Sequence, residues 1–323
     1  AARAQTAAIV VERPPDRAPE ATAPAEAPAG AVVLARPMAW GWLSALVLVG
    51  ALGLLTMIAG DAFSRAGREG AEPLFWTGFL LITVPVSARL VSRAPTRLER
   101  VLLVVGVGVL LYISKVLHDA FGFVYADELI HLGNAEAILR TGGIFPENTL
   151  LPVTVYYPGL GALTAGLADL TGLSAFGAGL IVIGVARLIM MLALFLLFER
   201  LSGSSRVAGL AALVYCASPN FLFWSSQYSY QSLALPLAVL TLLAVAQRDP
   251  DRGPEHRFAW MVIPMLAITA VTMTHHLTAY ALAAILVLVS LAAAVGFGHR
   301  SNSAWGLVLF AGVATMASPP QVA

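Results

Sequence analysis

Asp127 and Glu128 stand side by side where an apolar run gives way to the longest polar loop in the hydrophobic part of the chain. His131 and Asn134 keep helical spacing from Asp127, so the three share one face of a helix. A carboxylate held beside a membrane loses solvent, its pKa rises, and it can take a proton from an attacking hydroxyl. The plainer reading is a helix start, because acids in a first turn meet the positive end of the helix dipole. Leu129, Leu132, Ala135, Ile138 and Leu139 give the stretch an apolar face. It is therefore expected to lie as an amphipathic helix on the membrane surface and to present Asp127 to a cavity at headgroup level.

The other chemistry-bearing residues are scattered. Arg187 sits inside an apolar run and must face protein or a polar cavity, where its guanidinium suits a phosphate or a structural ion pair. Lys115 and His118 close another run and could serve the same phosphate; anchoring at the interface is the alternative for Lys115. His275 and His276 are adjacent, so on a helix they point about 100° apart and do not grip one metal ion together. One of them could meet a phosphate or sugar, and a hydrogen-bonded helix-end histidine is the alternative. Gln227, Tyr228, Tyr230 and Gln231 are expected on an outward polar loop, either binding sugar hydroxyls or serving as interfacial aromatics. Gly106-Val-Gly108 lies in an apolar helix with no strand before it, so it is no nucleotide loop. These glycines, with Gly177 and Gly179, are expected to permit close helix packing. The lone cysteine, Cys216, lies in an apolar run and leaves no internal disulfide.

These residues need a scaffold, and the composition says which. The 323 residues are 59% hydrophobic and 11% charged, against about a quarter charged in soluble domains. An all-α, polytopic helical membrane protein is expected. Residues 1–37, rich in Ala, Pro, Glu and Arg, read as a disordered cytoplasmic tail, and residues 38–323 as the transmembrane domain. Nine crossings are placed at about 38–60, 74–91, 101–118, 176–198, 206–222, 230–247, 258–274, 277–297 and 304–318. Residues 158–172 contain Asp169 and are short, so an interfacial or re-entrant helix is preferred there to a tenth crossing.

Arginine placement sets the orientation. Arg89, Arg93, Arg97 and Arg100, then Arg200 and Arg206, then Arg248, Arg252 and Arg257, then Arg300, fall on one side of a nine-crossing chain, with the N-terminal tail. That side is expected to be cytoplasmic, which turns the loop of about 119–175 outward. Only Lys115 of the 19 basic residues is a lysine, and alanine and arginine dominate, as in a high-GC bacterium. Residue 1 is alanine and the chain stops just after Pro319-Pro320, so a fragment or processed form is expected.

From Asp127 to about Leu233 the chain resembles the C-type (GT-C) glycosyltransferase superfamily, which includes protein O-mannosyltransferases and lipid A aminoarabinose transferase. There an acidic residue opens a first outward loop, here Asp127-Glu128. An amphipathic helix then ends in a Thr-Gly turn, here Ile138-Leu-Arg-Thr-Gly142. A proline-containing segment follows, here Tyr156-Tyr-Pro-Gly-Leu160, then a crossing with a pattern like Ala186-Arg187-Leu188. Ser218-Pro219 leads into a polar loop, Ser225-Ser-Gln-Tyr-Ser-Tyr-Gln231. The resemblance covers about a third of the chain and suggests an N-terminal portion of an actinobacterial-type member. Two helices precede the one that delivers the loop, where many members have one.

The resemblance implies an inverting, polyprenyl-phosphate-dependent transfer of a sugar to an envelope acceptor (glycan, lipid or protein) at the outer face of a bacterial cytoplasmic membrane. Asp127 and Glu128 would be catalytic. His131, Asn134, Arg187, Lys115, His275, His276, Tyr157, Gln227 and Tyr228 would bind substrate. A divalent cation, magnesium or manganese, shared by Asp127 and Glu128 is the one cofactor it admits. The bilayer is the other partner, and no nucleic acid is expected. A transporter or lipid flippase, or a non-catalytic subunit of an envelope-assembly complex, remain the alternatives.

Overall fold

The computed structural model describes residues 41–247 and 253–294. The expected N-terminal tail, the crossing at 304–318, and Arg248, Arg252 and Arg300 lie outside the described residues. Among the described residues there is no strand. The helices are α1 (Leu43–Arg65), α2 (Ala71–Val91), α3 (Arg97–His118), α4 (Ala126–Thr141), α5 (Gly159–Thr171), α6 (Ala175–Ser202), α7 (Ser205–Cys216), α8 (Pro219–Leu222), α9 (Tyr230–Gln247), α10 (Pro254–Thr274) and α11 (His276–Ala294). Single 3-10 turns cover Pro152–Tyr156 and Trp224–Ser226.

Five of these, α1, α2, α3, α6 and α9, are long and apolar enough to cross a membrane. Shorter apolar stretches occupy Trp260–Thr274 of α10 and His276–Ala292 of α11. α5 has 13 residues, about 20 Å of helix, too short for a hydrocarbon core of about 30 Å.

The expected single crossing at 206–222 is not one helix. α7 and the segment Pro219–Ser226 meet at a 72° bend. The cause is local. Pro219 supplies no N–H to continue α7 and holds Ser218 in an extended conformation, ψ 142°. The Ser218 hydroxyl then accepts the Phe221 N–H at 3.2 Å and starts a new turn.

Close packing depends on small residues. A Cβ on Gly53 would lie 2.7 Å from the Gly78 carbonyl oxygen, which draws α1 and α2 together. Gly179 makes the expected close approach, to the Tyr228 ring, and Gly108 does so to Met191; Gly106 faces open space and Gly177 only its own Ser174 cap. One apolar core joins α1, α2, α3, α6 and α7 through residues such as Met57, Leu90, Val104, Met191, Phe195 and Leu213. Another joins α9, α10 and α11 through Ala234, Ile268, Val271 and Leu282.

Charges collect at the two ends of the helical layer. At one end Arg89 pairs with Glu99 at 2.8 Å and Arg97 with Glu199 at 2.7 Å. There Arg100 donates to the Leu90 and Ser92 carbonyls, and Arg200 to the Ala246 carbonyl. Four of the arginines expected on one side, Arg89, Arg97, Arg100 and Arg200, thus share an end. At the other end, one length of α3 away, stand Asp61, Arg65, Lys115, His118, Asp119 and Glu128.

Candidate functional site

α4 begins as its sequence demands. Glu128, three residues after the N-cap Tyr125, accepts the Tyr125 N–H at 3.3 Å. Gly142, at φ +70°, ends the helix where the Thr-Gly turn was expected.

Asp127 and Glu128 part company at once. Glu128 has no exposed surface. Its carboxylate meets the Lys115 ammonium at 3.0 Å and accepts the Tyr228 N–H at 3.0 Å. Lys115 also pairs with Asp119. Burial pushes the Asp119 carboxyl above its ordinary value, and the Lys115 ammonium opposes that. Glu128 therefore ties α3, the start of α4 and the segment before α9 into one knot. Lys115 is enclosed in that knot rather than lying free at the interface. His118 pairs with Asp61 at 2.8 Å. Asp61 escaped the sequence reading, which ended the first helix at about residue 60; its i,i+4 relation to Arg65 was the available signal.

Asp127 is exposed and has no ionic or hydrogen-bond partner among the described residues. It opens into a cavity of about 430 Å³, shared with His131, Trp224, Tyr230, Gln231 and His275. The His131 ring lies 3.9 Å from that of Tyr230. Burial pushes His131 down to about 4, with His275 a smaller contributor. Burial, then His276, pushes His275 down to about 4 as well. Both rings are therefore neutral near pH 7. His275 Nδ1 lies 2.7 Å from the Thr278 hydroxyl. His276 turns the other way, its ring 5.0 Å from that of Tyr157.

Several expected site residues have other surroundings. Asn134 shares a face with Asp127 but accepts from the Asn148 side chain at 2.6 Å and pins the loop. The expectation of an exposed polar loop fails for Gln227, Tyr228 and Tyr230. Gln227 is 2% exposed, Tyr228 fully buried and Tyr230 buried apart from its edge on the cavity. The Tyr228 hydroxyl donates to Thr164 at 2.7 Å, and its ring stacks on Phe123. The buried strip of α4 is likewise not purely apolar: Glu128, His131, Ala135 and Ile138 are buried while Leu129 and Leu139 are exposed. His131 and Ala135 turn inward because α4 packs on α5 and α6 as well as facing the surface.

Arg187 is 2% exposed. It donates to the Phe221 carbonyl at 2.9 Å and to Ser225 at 3.3 Å, with its guanidinium 3.8 Å from the Phe221 ring. It holds the segment after the α7 break against α6 and does not line the Asp127 cavity. Asn220 and Trp224, which line it and were missed, come from that broken segment; Leu151 and Ser229 line it from outside that segment. Nothing in the spacing of Asn220 and Trp224 marks them, because the break brings them there.

Glu128 is enclosed by Lys115 while Asp127 faces the cavity, so the two carboxylates do not converge on one cation. No group of three His, Cys, Asp or Glu side chains among the described residues is arranged to hold a metal ion.

These features define a multi-pass helical membrane protein with a polar cavity at one end of its helical layer. Compared with known families, curated proteins and solved structures, the chain matches none.

Proposed function

We propose that the chain is an integral membrane glycosyltransferase of the C-type (GT-C) kind, working on a polyprenyl-phosphate-linked sugar at the outer face of a bacterial membrane. The observation that carries this reading is the unpaired Asp127 carboxylate in a cavity rimmed by Trp224, Tyr230, Gln231 and Asn220. Indole, phenol and amide groups are the side chains that stack on and hydrogen-bond to sugar rings. The gathering of Arg89, Arg97, Arg100 and Arg200 at the opposite end supports nine crossings with that end cytoplasmic.

In this reading Asp127 takes the proton of the acceptor hydroxyl. The acceptor oxygen forms the new bond to the anomeric carbon as the bond to the donor phosphate breaks, and the phosphate leaves with its electron pair. The configuration inverts. Neutral His131 and His275, with Trp224 and Gln231, supply hydrogen bonds in the cavity. Glu128, Lys115 and Arg187 position the walls rather than touch the reacting atoms. No step runs through a metal ion.

The test compares wild-type full-length protein and Asp127→Asn in nanodiscs, given radiolabelled polyprenyl-phosphate sugars and a membrane extract as acceptor source. Transfer by wild type and a loss of at least a hundredfold in the folded variant are expected. Equal transfer by both would remove Asp127 from the chemistry.

The 72° break between α7 and α8, with Arg187 buried against it, favours a second reading. Broken helices and buried charge mark transport paths. Movement of a lipid-linked sugar across a vesicle membrane, with no transfer to acceptor, would select it.

A further inference from the structure

A second cavity, of about 500 Å³, lies on the other side of the segment Pro219–Ser226 that follows the break after α7. Asn220 and Trp224 of that segment face the Asp127 cavity; Leu222, Phe223 and Ser226 face this one. The remaining walls are α1, α2, the last two turns of α3 and Tyr125 at the start of α4. Its size falls within the roughly 300–1,000 Å³ of small-molecule sites.

The cavity is graded. α1 and α3 run toward this end of the layer, so Met57 and Leu111 line it deep and Ser64 and His118 line it near the helix ends. α2 runs back from the same end, which puts Glu72 at the rim and Phe75 one turn below. From Leu111 to His118 is about 10 Å of helix. An apolar floor and a polar rim over that depth match the gradient of a lipid leaflet.

The rim has a sign. The carboxylates that line it are Asp61 and Glu72 and the permanent cation is Lys115, with His118 beside them; Arg65, Asp119 and Glu128 pair with these residues without lining the cavity. Arg68 and Glu69, on the adjoining link, offset each other. Lys115 is enclosed by Asp119 and Glu128; Arg65, half exposed, pairs with Asp61 and donates to the His118 carbonyl. Glu72 has no ionic or hydrogen-bond partner among the described residues. Its position in the first turn of α2 suits the helix dipole, but that leaves its charge available at the mouth of the cavity.

We infer that this cavity is a binding site for a lipid with a primary-ammonium headgroup, its acyl chain between Met57, Leu111 and Phe75 and its ammonium on Glu72. An anionic headgroup meets excess negative charge there and is disfavoured. The site is distinct from the Asp127 cavity, with the broken segment and the start of α4 between them.

The test is native mass spectrometry of the full chain in detergent, with phosphatidylethanolamine or phosphatidylglycerol of identical acyl chains. Wild-type protein is expected to retain the ethanolamine lipid at least fivefold over the glycerol lipid. Glu72→Gln should bring that ratio near one. Ser114→Phe, which fills the cavity, should remove the retained ethanolamine lipid from protein with an unchanged thermal midpoint. Ile58→Trp is a second filler if Ser114→Phe does not fold. Equal retention of both lipids by wild type, a preference for phosphatidylglycerol, or an ethanolamine preference that survives Glu72→Gln would each overturn the assignment.

Discussion

Asp127 and Glu128 differ by one methylene group and one position in the chain, yet they occupy opposite kinds of region. Glu128 lies in a closed knot with Lys115 and Asp119, where each of its oxygens meets a cation or an N–H donor. Asp127, about 100° further round the helix, looks into an open cavity with nothing to neutralise it. A carboxylate used for architecture is one whose bonding capacity is filled. A carboxylate available for chemistry is one whose capacity is left over. Sequence adjacency says nothing about which is which.

The sharpest way to break that comparison is to remove each acid in turn. Glu128→Ala leaves the Lys115 charge and the Tyr228 N–H buried with a partner missing, which costs about 3–5 kcal/mol. The thermal midpoint in detergent is expected to fall by on the order of ten degrees. Asp127→Asn, at an exposed position, should stay within about 0.5 kcal/mol of wild type. Similar losses in the two variants would erase the distinction.

A smaller effect comes from the histidines of the cavity. His131 and His275 have folded values of about 4, below the unfolded 6.5. Neutral imidazole therefore belongs to the folded state and protonation to the unfolded one. Their contribution is complete above about pH 6.5 and is lost as pH falls from there toward 4. Thermal midpoints taken across that window should decline, and His131→Phe should flatten the decline. A decline of the same slope in the variant would place its origin elsewhere, for instance in His275, which burial also pushes down to about 4.

The smallest effect belongs at the arginine-rich end. Arg97, with 59% of its side chain exposed, pairs with Glu199. Arg97→Ala should cost less than about 1 kcal/mol, and less still at high salt. A loss as large as that of Glu128→Ala would mean that the two ends are built alike.

Much of the helical layout was legible in the chain. The expected segments at 74–91, 101–118, 176–198 and 230–247 differ from α2, α3, α6 and α9 by at most a few residues, because apolar run length is set by the solvent and read directly from composition. The segment at 206–222 was read as one helix because its apolar run is continuous; Pro219 decided otherwise through its missing N–H. Asp127 and its turn into α4 were legible from residue type and position. The roles of Gln227 and Tyr228 were not, because a polar loop in sequence became a buried wall once Glu128 reached across to the Tyr228 N–H. Asp61, Asn220 and Trp224 enter cavities only through contacts made far along the chain.

By itself the sequence determined that this is a helical membrane protein, where its long apolar helices run, and that an acidic turn opens α4. Those are local consequences of hydropathy, proline and capping, and each needs only neighbours in the chain. Tertiary structure alone decided which acid is enclosed and which is open, that Arg187 serves a carbonyl and a hydroxyl of the broken segment, and that this segment divides two cavities. These depend on which charges find partners across 13 to 100 residues of chain. Only packing brings such partners within bonding distance.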